Sequence, residues 1–375
     1  MSDHIDTLDD LNKHIPLKQK LTSAHQVIKK KLPFVARIAI AIYDQDTRVL
    51  KTFIHSSDET TPLENYHALI DDAPSLKGIL NQGRPRVINN FLTFDHNDNE
   101  HNKRLGRAGY AASYTMPIFN NGDFVGFVFF NSFQSGVFDE HALSQLDVFG
   151  HLISLLIISE ISNIQTLAAA LKTSGKITHL RDPETGSHLD RMSRYSRLIA
   201  SALADKYQLE DDYIEHIFMF SPLHDIGKIG IPDDILMKPA RLEPNEMEIM
   251  KSHTVKGREI IDEILHNFGL DAVDYVNILR NIAEFHHESV NGAGYPAGKI
   301  GDEIPLEARI VAVADIFDAL TSRRVYKHAW TNEAAFHALH QLAGEKLDQD
   351  CVKALLENVE EIEKIQQQFK QDCYG

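Results

Sequence analysis

Three features of the sequence predict a multidomain chain, with an α+β domain first, a linking helix next and an all-α domain last. Before residue 160, apolar runs with strand character flank an Asn-Gly turn. From Asp139 the apolar residues switch to helical spacing. Beyond about residue 175 only helical patterns follow, punctuated by Pro and Gly. The expected boundaries are 1–160 for the first domain, 140–178 for the linking helix and 175–370 for the last domain.

A chain of 375 residues is long enough to bury two cores. Its net charge of −16 argues against a DNA or RNA polymer as partner, since such partners need a basic face. A small phosphate ligand stays compatible, because bound divalent cations reverse the sign of the field inside a site. The longest greasy stretch, Leu152 to Ile158, is broken by Ser154 and falls short of a membrane span. The opening MSDHIDTLDDLNKH is acidic and polar, unlike a secretory signal. Cys351 and Cys373 offer at most one bridge and no disulfide framework. The cytoplasm is the expected compartment.

The elements of the first domain follow in order. Val35 to Tyr43 reads as a strand, Asp44-Gln45-Asp46 as a turn, and Val49 to Ile54 as a second strand. Tyr114 to Phe119 and Phe124 to Asn131 flank Asn120-Asn121-Gly122-Asp123, the signature of a hairpin. The helix from Asp139 carries Leu143, Leu146, Phe149, Ile153, Leu156 and Ile157, and is expected to run towards Leu171 before Thr173-Ser174-Gly175 interrupts it. That stripe suits either packing on its own sheet or parallel pairing with a second copy. Asp95-x-Asn97-x-Asn99 begins like a calcium loop, but Glu100 stands where glycine is needed, so it reads as a polar surface loop.

Residues 20–160 resemble a GAF domain. The resemblance rests on the first strand, on RPRVINN at Arg84 to Asn90, and on SYTMPIFNNGDFVGFVFFNS followed by the helix. It implies a sensory or dimerising role; no haem, bilin or cyclic-nucleotide motif stands out.

The second half strings out residues that hold metals: Glu184, His188, His224, Asp225, His253, His286, His287 and Asp315. Imidazole and carboxylate donors suit iron, manganese, zinc or nickel, and the set is too large for one ion. Two or three metals are expected, which is chemistry for cleaving a phosphate ester. Glu184 and His188, four apart, share one face of a helix, with Pro183 in its first turn. His224 and Asp225 are adjacent among apolar neighbours; as helix neighbours they diverge by about 100°, so one can bind an ion while the other bridges to a second. Burying such a carboxylate without a cation is costly. Lys228 could meet a substrate phosphate or pair with a nearby acid. His253 lies in the helical segment EPNEMEIMKSHTVKGREIIDEIL. The tandem His286-His287 can serve two different metals. Gly292, Gly294 and Pro296 enforce an irregular loop on which Tyr295 could stack on a base or bond a phosphate. Asp315 sits in an apolar helix and needs a partner, while Asp318 is placed to hold a ligand or nearby backbone. Arg324 and Lys327 form a basic pair suited to phosphates.

Residues 170–370 resemble the HD-GYP domain, a subgroup of the HD metal-dependent phosphohydrolases. The signals are HDIGK, HHE followed by GYP, and the stretch DIFDALTSRRVYK, in order. The resemblance implies an all-α fold, two or three metals, most often iron or manganese, and hydrolysis of cyclic di-GMP or the mixed cyclic GMP–AMP dinucleotide by a bridging hydroxide. It carries the eight ligand roles over to the residues named, and substrate contact to Lys228, Tyr295, Arg324 and Lys327. The GAF resemblance and the apolar stripe of the linking helix together suggest a homodimer joined through that helix and the first domain. The sequence departs from the family pattern at Asn291-Gly292, at Val325 and at Leu347-Asp348-Gln349, none of which removes a ligand. A general HD-type nucleotide phosphohydrolase and a catalytically silent cyclic dinucleotide sensor or scaffold are the alternatives.

Overall fold

The computed structural model describes residues 6–13, 15–57, 67–91, 105, 108–179, 186–268, 275–322 and 329–370. Two compact units emerge, Met1–Ser162 and Asn163–Gly375.

The first unit is built on a six-stranded antiparallel sheet. Its strands are β1 (Arg37–Asp44), β2 (Val49–Ser57), β3 (His67–Leu69), β4 (Arg86–Ile88), β5 (Ala112–Asn120) and β6 (Asp123–Ser132), in the order β3-β2-β1-β6-β5-β4. β5 and β6 meet through Asn121 and Gly122, both at positive φ (51° and 95°). That pair of left-handed residues gives the turn whose twist matches the flanking strands, which is why Asn-Gly occupies it.

One sheet face is covered by α1 (Leu17–Lys31) and the long α3 (Glu140–His179). His25 of α1 bonds Ser56 and the Val35 carbonyl, and Asp147 of α3 accepts from Tyr114. Gly150 lets α3 approach closely, since a Cβ there would lie 2.2 Å from Met116 Sδ. Residues Ala142, Leu146, Phe149, Ile153 and Ile157 are buried on this face. Of the two uses expected for the α3 stripe, the structure shows packing on its own sheet. The opposite face is covered by α2 (Pro74–Gln82), through Leu76 and Ile79 against Ala39, Ala41, Phe127 and Phe129.

Two expectations change here. The helix does not stop at Thr173-Ser174-Gly175 but continues to His179. A lone glycine costs only about 1 kcal/mol in a helix, too little to end one that long. The uninterrupted greasy run was also too narrow a measure, because Glu140–Ile164 is long and apolar enough, by length and composition, to cross a membrane. Of its apolar window 39% is buried. The Asp95 loop lies outside the described residues.

The second unit is helical: α4 (Gly186–Tyr207), α5 (Asp211–Phe220), α6 (Asp233–Leu236), α7 (Pro244–Lys251), α8 (His253–Phe268), α9 (Val276–Phe285), α10 (Leu306–Thr321), α11 (Asn332–Leu342), α12 (Gln349–Leu356) and α13 (Val359–Gln368). Outside the six-stranded sheet, the described residues form only isolated β-bridges. α10 runs through the middle, burying Ile310, Val311, Val313 and Phe317 against Tyr195 and Ile199 of α4 and Leu279 and Ile282 of α9. Each such side chain contributes about 1.5–3 kcal/mol relative to exposure. The altered Leu347-Asp348-Gln349 stretch is structural: Asp348 caps α12 through the Cys351 N–H and accepts from Arg309 at 2.7 Å. Cys351 is buried with a free thiol; Cys373 lies outside the described residues.

Candidate metal centre

His224 and Asp225 do not lie on an α-helix. They occupy the junction of two short 3-10 turns, Ser221–Leu223 and Ile226–Gly230. Pro222 and two nearby glycines disfavour a regular helix here. Gly227 then lets this segment press onto the start of α8, for a Cβ on Gly227 would lie 1.8 Å from the His253 carbonyl oxygen. His253 is the first residue of α8, and Ser252 separates it from α7, so the helical segment expected there is two helices. His286 caps the C-terminus of α9, with His287 in the turn that follows.

Asp225 joins these pieces. Its Oδ1 lies 3.1 Å from His253 Nε2 and 3.6 Å from His286 Nε2, and its Oδ2 lies 3.2 Å from His224 Nε2 and 2.8 Å from Lys228 Nζ. Lys228 thus takes the acid-pairing role left open in the sequence. Burial alone would raise the Asp225 carboxyl, but the Lys228 charge and the neighbouring imidazoles outweigh it and hold the group well below the ordinary carboxylate value.

The tautomers follow from the hydrogen bonds. Nδ1 of His224, His253 and His286 faces the carbonyl of Ser221, Met250 and Ile282 at 3.0, 2.7 and 2.9 Å. A carbonyl only accepts, so each Nδ1 carries a hydrogen, which leaves Nε2, the atom turned towards Asp225, as the one able to bind a metal when the ring is neutral. His188 obeys the same rule, with its Nδ1 2.7 Å from Asp318 Oδ2. Burial, then His286, pushes the His287 imidazole down to about 2, and burial likewise lowers His286. Neutral imidazoles are the form that binds metal.

Two donor groups result, each with ligand atoms within 4.8 Å of one another. One is Asp225, His253, His286 and His287; the other is His188, His224 and Asp315. His286 and His287 fall in the same group, not one on each metal. The chain turns at the end of α9, so the helical divergence does not apply and the rings sit 4.1 Å apart. Asp315 is partly exposed, 3.8 Å from His188 Nε2, while the fully buried acid of α10 is Asp318. The donors are nitrogen and oxygen, which fits a borderline first-row divalent ion. Glu184, Arg324 and Lys327 lie outside the described residues.

Two residues missed in the sequence support the site. Arg191, one turn from His188 on α4, grips Asp318 through Nε at 2.6 Å and Nη2 at 2.9 Å, and donates to the Phe369 carbonyl at 3.0 Å. Burial would raise Asp318, yet the bonds from His188 and Arg191 keep it low and ionised. Glu288, buried just after the tandem histidines, accepts the N–H groups of Ala297 and Lys299 at 2.7 and 3.0 Å and so shapes the glycine loop. The three-residue spacing of His188 and Arg191, and the acid directly after His287, were the available signals. On that loop a Cβ at Gly294 would lie 2.2 Å from Ser289 N, and Tyr295 is tilted over His287 with ring centroids 4.9 Å apart.

Residues 181–351 match the HD domain family and residues 17–157 the GAF domain family. The chain is 44% identical over 189 residues to the cyclic di-GMP phosphodiesterase response regulator RpfG of Xanthomonas campestris pv. campestris, covering 50% of this chain and 47% of the relative. It is 36% identical to a cyclic di-GMP phosphodiesterase of Thermotoga maritima, covering 55% and 53%. It is 34% identical to the 3'3'-cGAMP-specific phosphodiesterase 2 of Vibrio cholerae, covering 63% and 46%. The chain therefore spans about half the length of these relatives. HD phosphohydrolases are metal-dependent, and the two donor groups lie inside the matched region. The chain carries a GAF domain followed by an HD domain.

Proposed function

We propose that the chain is a metal-dependent phosphodiesterase of the HD-GYP subgroup that hydrolyses a cyclic dinucleotide, cyclic di-GMP or 3',3'-cyclic GMP–AMP, to the linear dinucleotide. The observation that carries the reading is Asp225, whose two oxygens face the two donor groups separately. On this reading Asp225, His253, His286 and His287 would hold one divalent ion and His188, His224 and Asp315 a second, with Asp225 also able to serve it; Glu184 is the candidate for a third. Bound ions of this type lower the pKa of water and withdraw charge from a phosphoryl group.

The chain's own residues do the rest. Fixed Nδ1–H bonds keep the imidazoles aimed inward without reorganisation. Lys228, now paired with Asp225, would be placed to neutralise charge developing on the phosphodiester once a cation took over that carboxylate. Tyr295 offers a ring face for a base beside His287, and Arg324 with Lys327 would contact substrate. Iron or manganese is the expected metal. The relatives' activities support the substrate class, and the cytoplasm is the compartment we assign. Val148 and Leu155, seven residues apart on α3 and exposed, support a homodimer joined along that helix.

The test is product analysis after anaerobic purification, with cyclic di-GMP and 3',3'-cyclic GMP–AMP side by side. Linear dinucleotide from either one, lost in Asp225→Ala, is the expected result. Turnover of mononucleotide esters with neither cyclic substrate cleaved would favour a general HD phosphohydrolase.

A further inference from the structure

The α2-covered face of the first unit's sheet carries a polar patch that the metal chemistry does not use. Cross-strand register aligns Arg37, Asn131, Ser113 and Ile88 in one row and Ala39, Phe129, Thr115 and Arg86 in the next. Directly opposed residues share a face, so Arg86, Thr115, Ser113 and Asn131 all point to the same side. Asn131, Ser113 and Thr115 are fully buried. Both side-chain polar atoms of Asn131, the hydroxyls of Ser113 and Thr115, and all three guanidinium nitrogens of Arg86 are buried without a hydrogen-bond partner. A buried polar group left so costs about 1–3 kcal/mol, and a buried cation more. Three neutral polar side chains and a guanidinium left unsatisfied on one face are what an anion would resolve.

The space beside them limits the anion's size. A cavity of about 30 Å³, lined by Arg37, Thr52, Leu76, Phe129 and Asn131, lies between the sheet and α2. One water needs about 10–15 Å³ on this measure, so the cavity takes about two or three heavy groups. Tetrapyrroles, nucleotides and cyclic dinucleotides are too large for it. Of the patch, Asn131 lines this cavity; Arg86 stands two strands from Phe129, about 10 Å at the backbone, with a side chain long enough to reach across Thr115.

We infer that this face is a binding site for a small oxyanion of about carboxylate or nitrate size, with Arg86 as its cation and Ser113, Thr115 and Asn131 as its hydrogen-bond partners. Burial pushes the Arg86 guanidinium down to about 10, and no carboxylate is among the causes. The group stays cationic at neutral pH, and an anion there would offset its desolvation. The inference does not rest on the cyclic dinucleotide reading, for it concerns the other unit.

The experiment is calorimetric titration of the full chain with formate and nitrate in separate arms, using wild type, Arg86→Gln, and Arg84→Gln at the exposed arginine two residues away. At least one arm should give a binding event that Arg86→Gln weakens about tenfold or more and Arg84→Gln leaves alone; which arm responds tells carboxylate from inorganic oxyanion. Ser113→Ala should weaken the same event by a smaller factor. No event in any arm, or equal binding in Arg86→Gln, overturns the inference, since anions bound at the metal centre ignore this substitution. In anion-free buffer Arg86→Gln should also melt no lower than wild type, because it removes a buried unpaired charge. A lower midpoint, or failure to fold, means the guanidinium already has its structural partner and overturns the inference as well.

Discussion

Asp225 and Asp318 divide the work at the scale of single residues. Asp225 faces the ligands directly, whereas Asp318 acts through His188, whose Nδ1–H it accepts. Substituting the acceptor of a ligand imidazole costs about 10–100-fold in metal affinity. Asp318→Asn should therefore weaken metal binding by that factor in a competition titration, and Arg191→Ala should do likewise by loosening Asp318. Unchanged affinity in both would remove the positioning role. The adjacent His224-Asp225 and His286-His287 pairs were legible in the sequence because polar pairs among apolar residues are expensive without a use. Arg191 and Glu288 were not, since a charge on an amphipathic helix or beside a loop looks like solvated surface until the fold buries it.

Close packing between elements fixes the distance between the donor groups. The 3-10 segment bearing Asp225 and Lys228 lies against α8 because Gly227 has no side chain, and His253 rides on the first turn of that helix. Gly227→Ala must push the two apart. Overpacking of this kind costs about 1–3 kcal/mol, read as a lowered denaturant midpoint, with weaker metal binding at the same time. Wild-type stability and metal affinity together would contradict the packing account. Strands, hairpin and most helices were visible in the sequence through period and turn residues. The 3-10 junction and the break at Ser252 were not, because three-residue turns leave no period to read and tertiary contact selects them.

For the whole molecule, pH reports how many histidines fold neutral. Burial pushes His216, in the helical core, down to about 4, and His287 to about 2. These folded values lie below the unfolded value near 6.5, so the unfolded chain binds more protons in the window beneath it. Stability should therefore fall as pH drops from about 6.5 to 4, and His216→Gln should flatten that slope in urea titrations of metal-free protein. A slope unchanged by the substitution would contradict a neutral His216. The division into a sheet-based unit and a helical one was legible from the switch in apolar periodicity, and a bridge at His224-Asp225 from their adjacency; which histidines group around each carboxylate oxygen required the fold.

Metal stoichiometry tests the central claim most directly. Elemental analysis of anaerobically purified full chain should give two or more first-row divalent ions per chain, falling below two in Asp225→Ala. One ion or none in the wild type, under metal-replete conditions, would contradict a two-metal centre and the hydrolysis built on it.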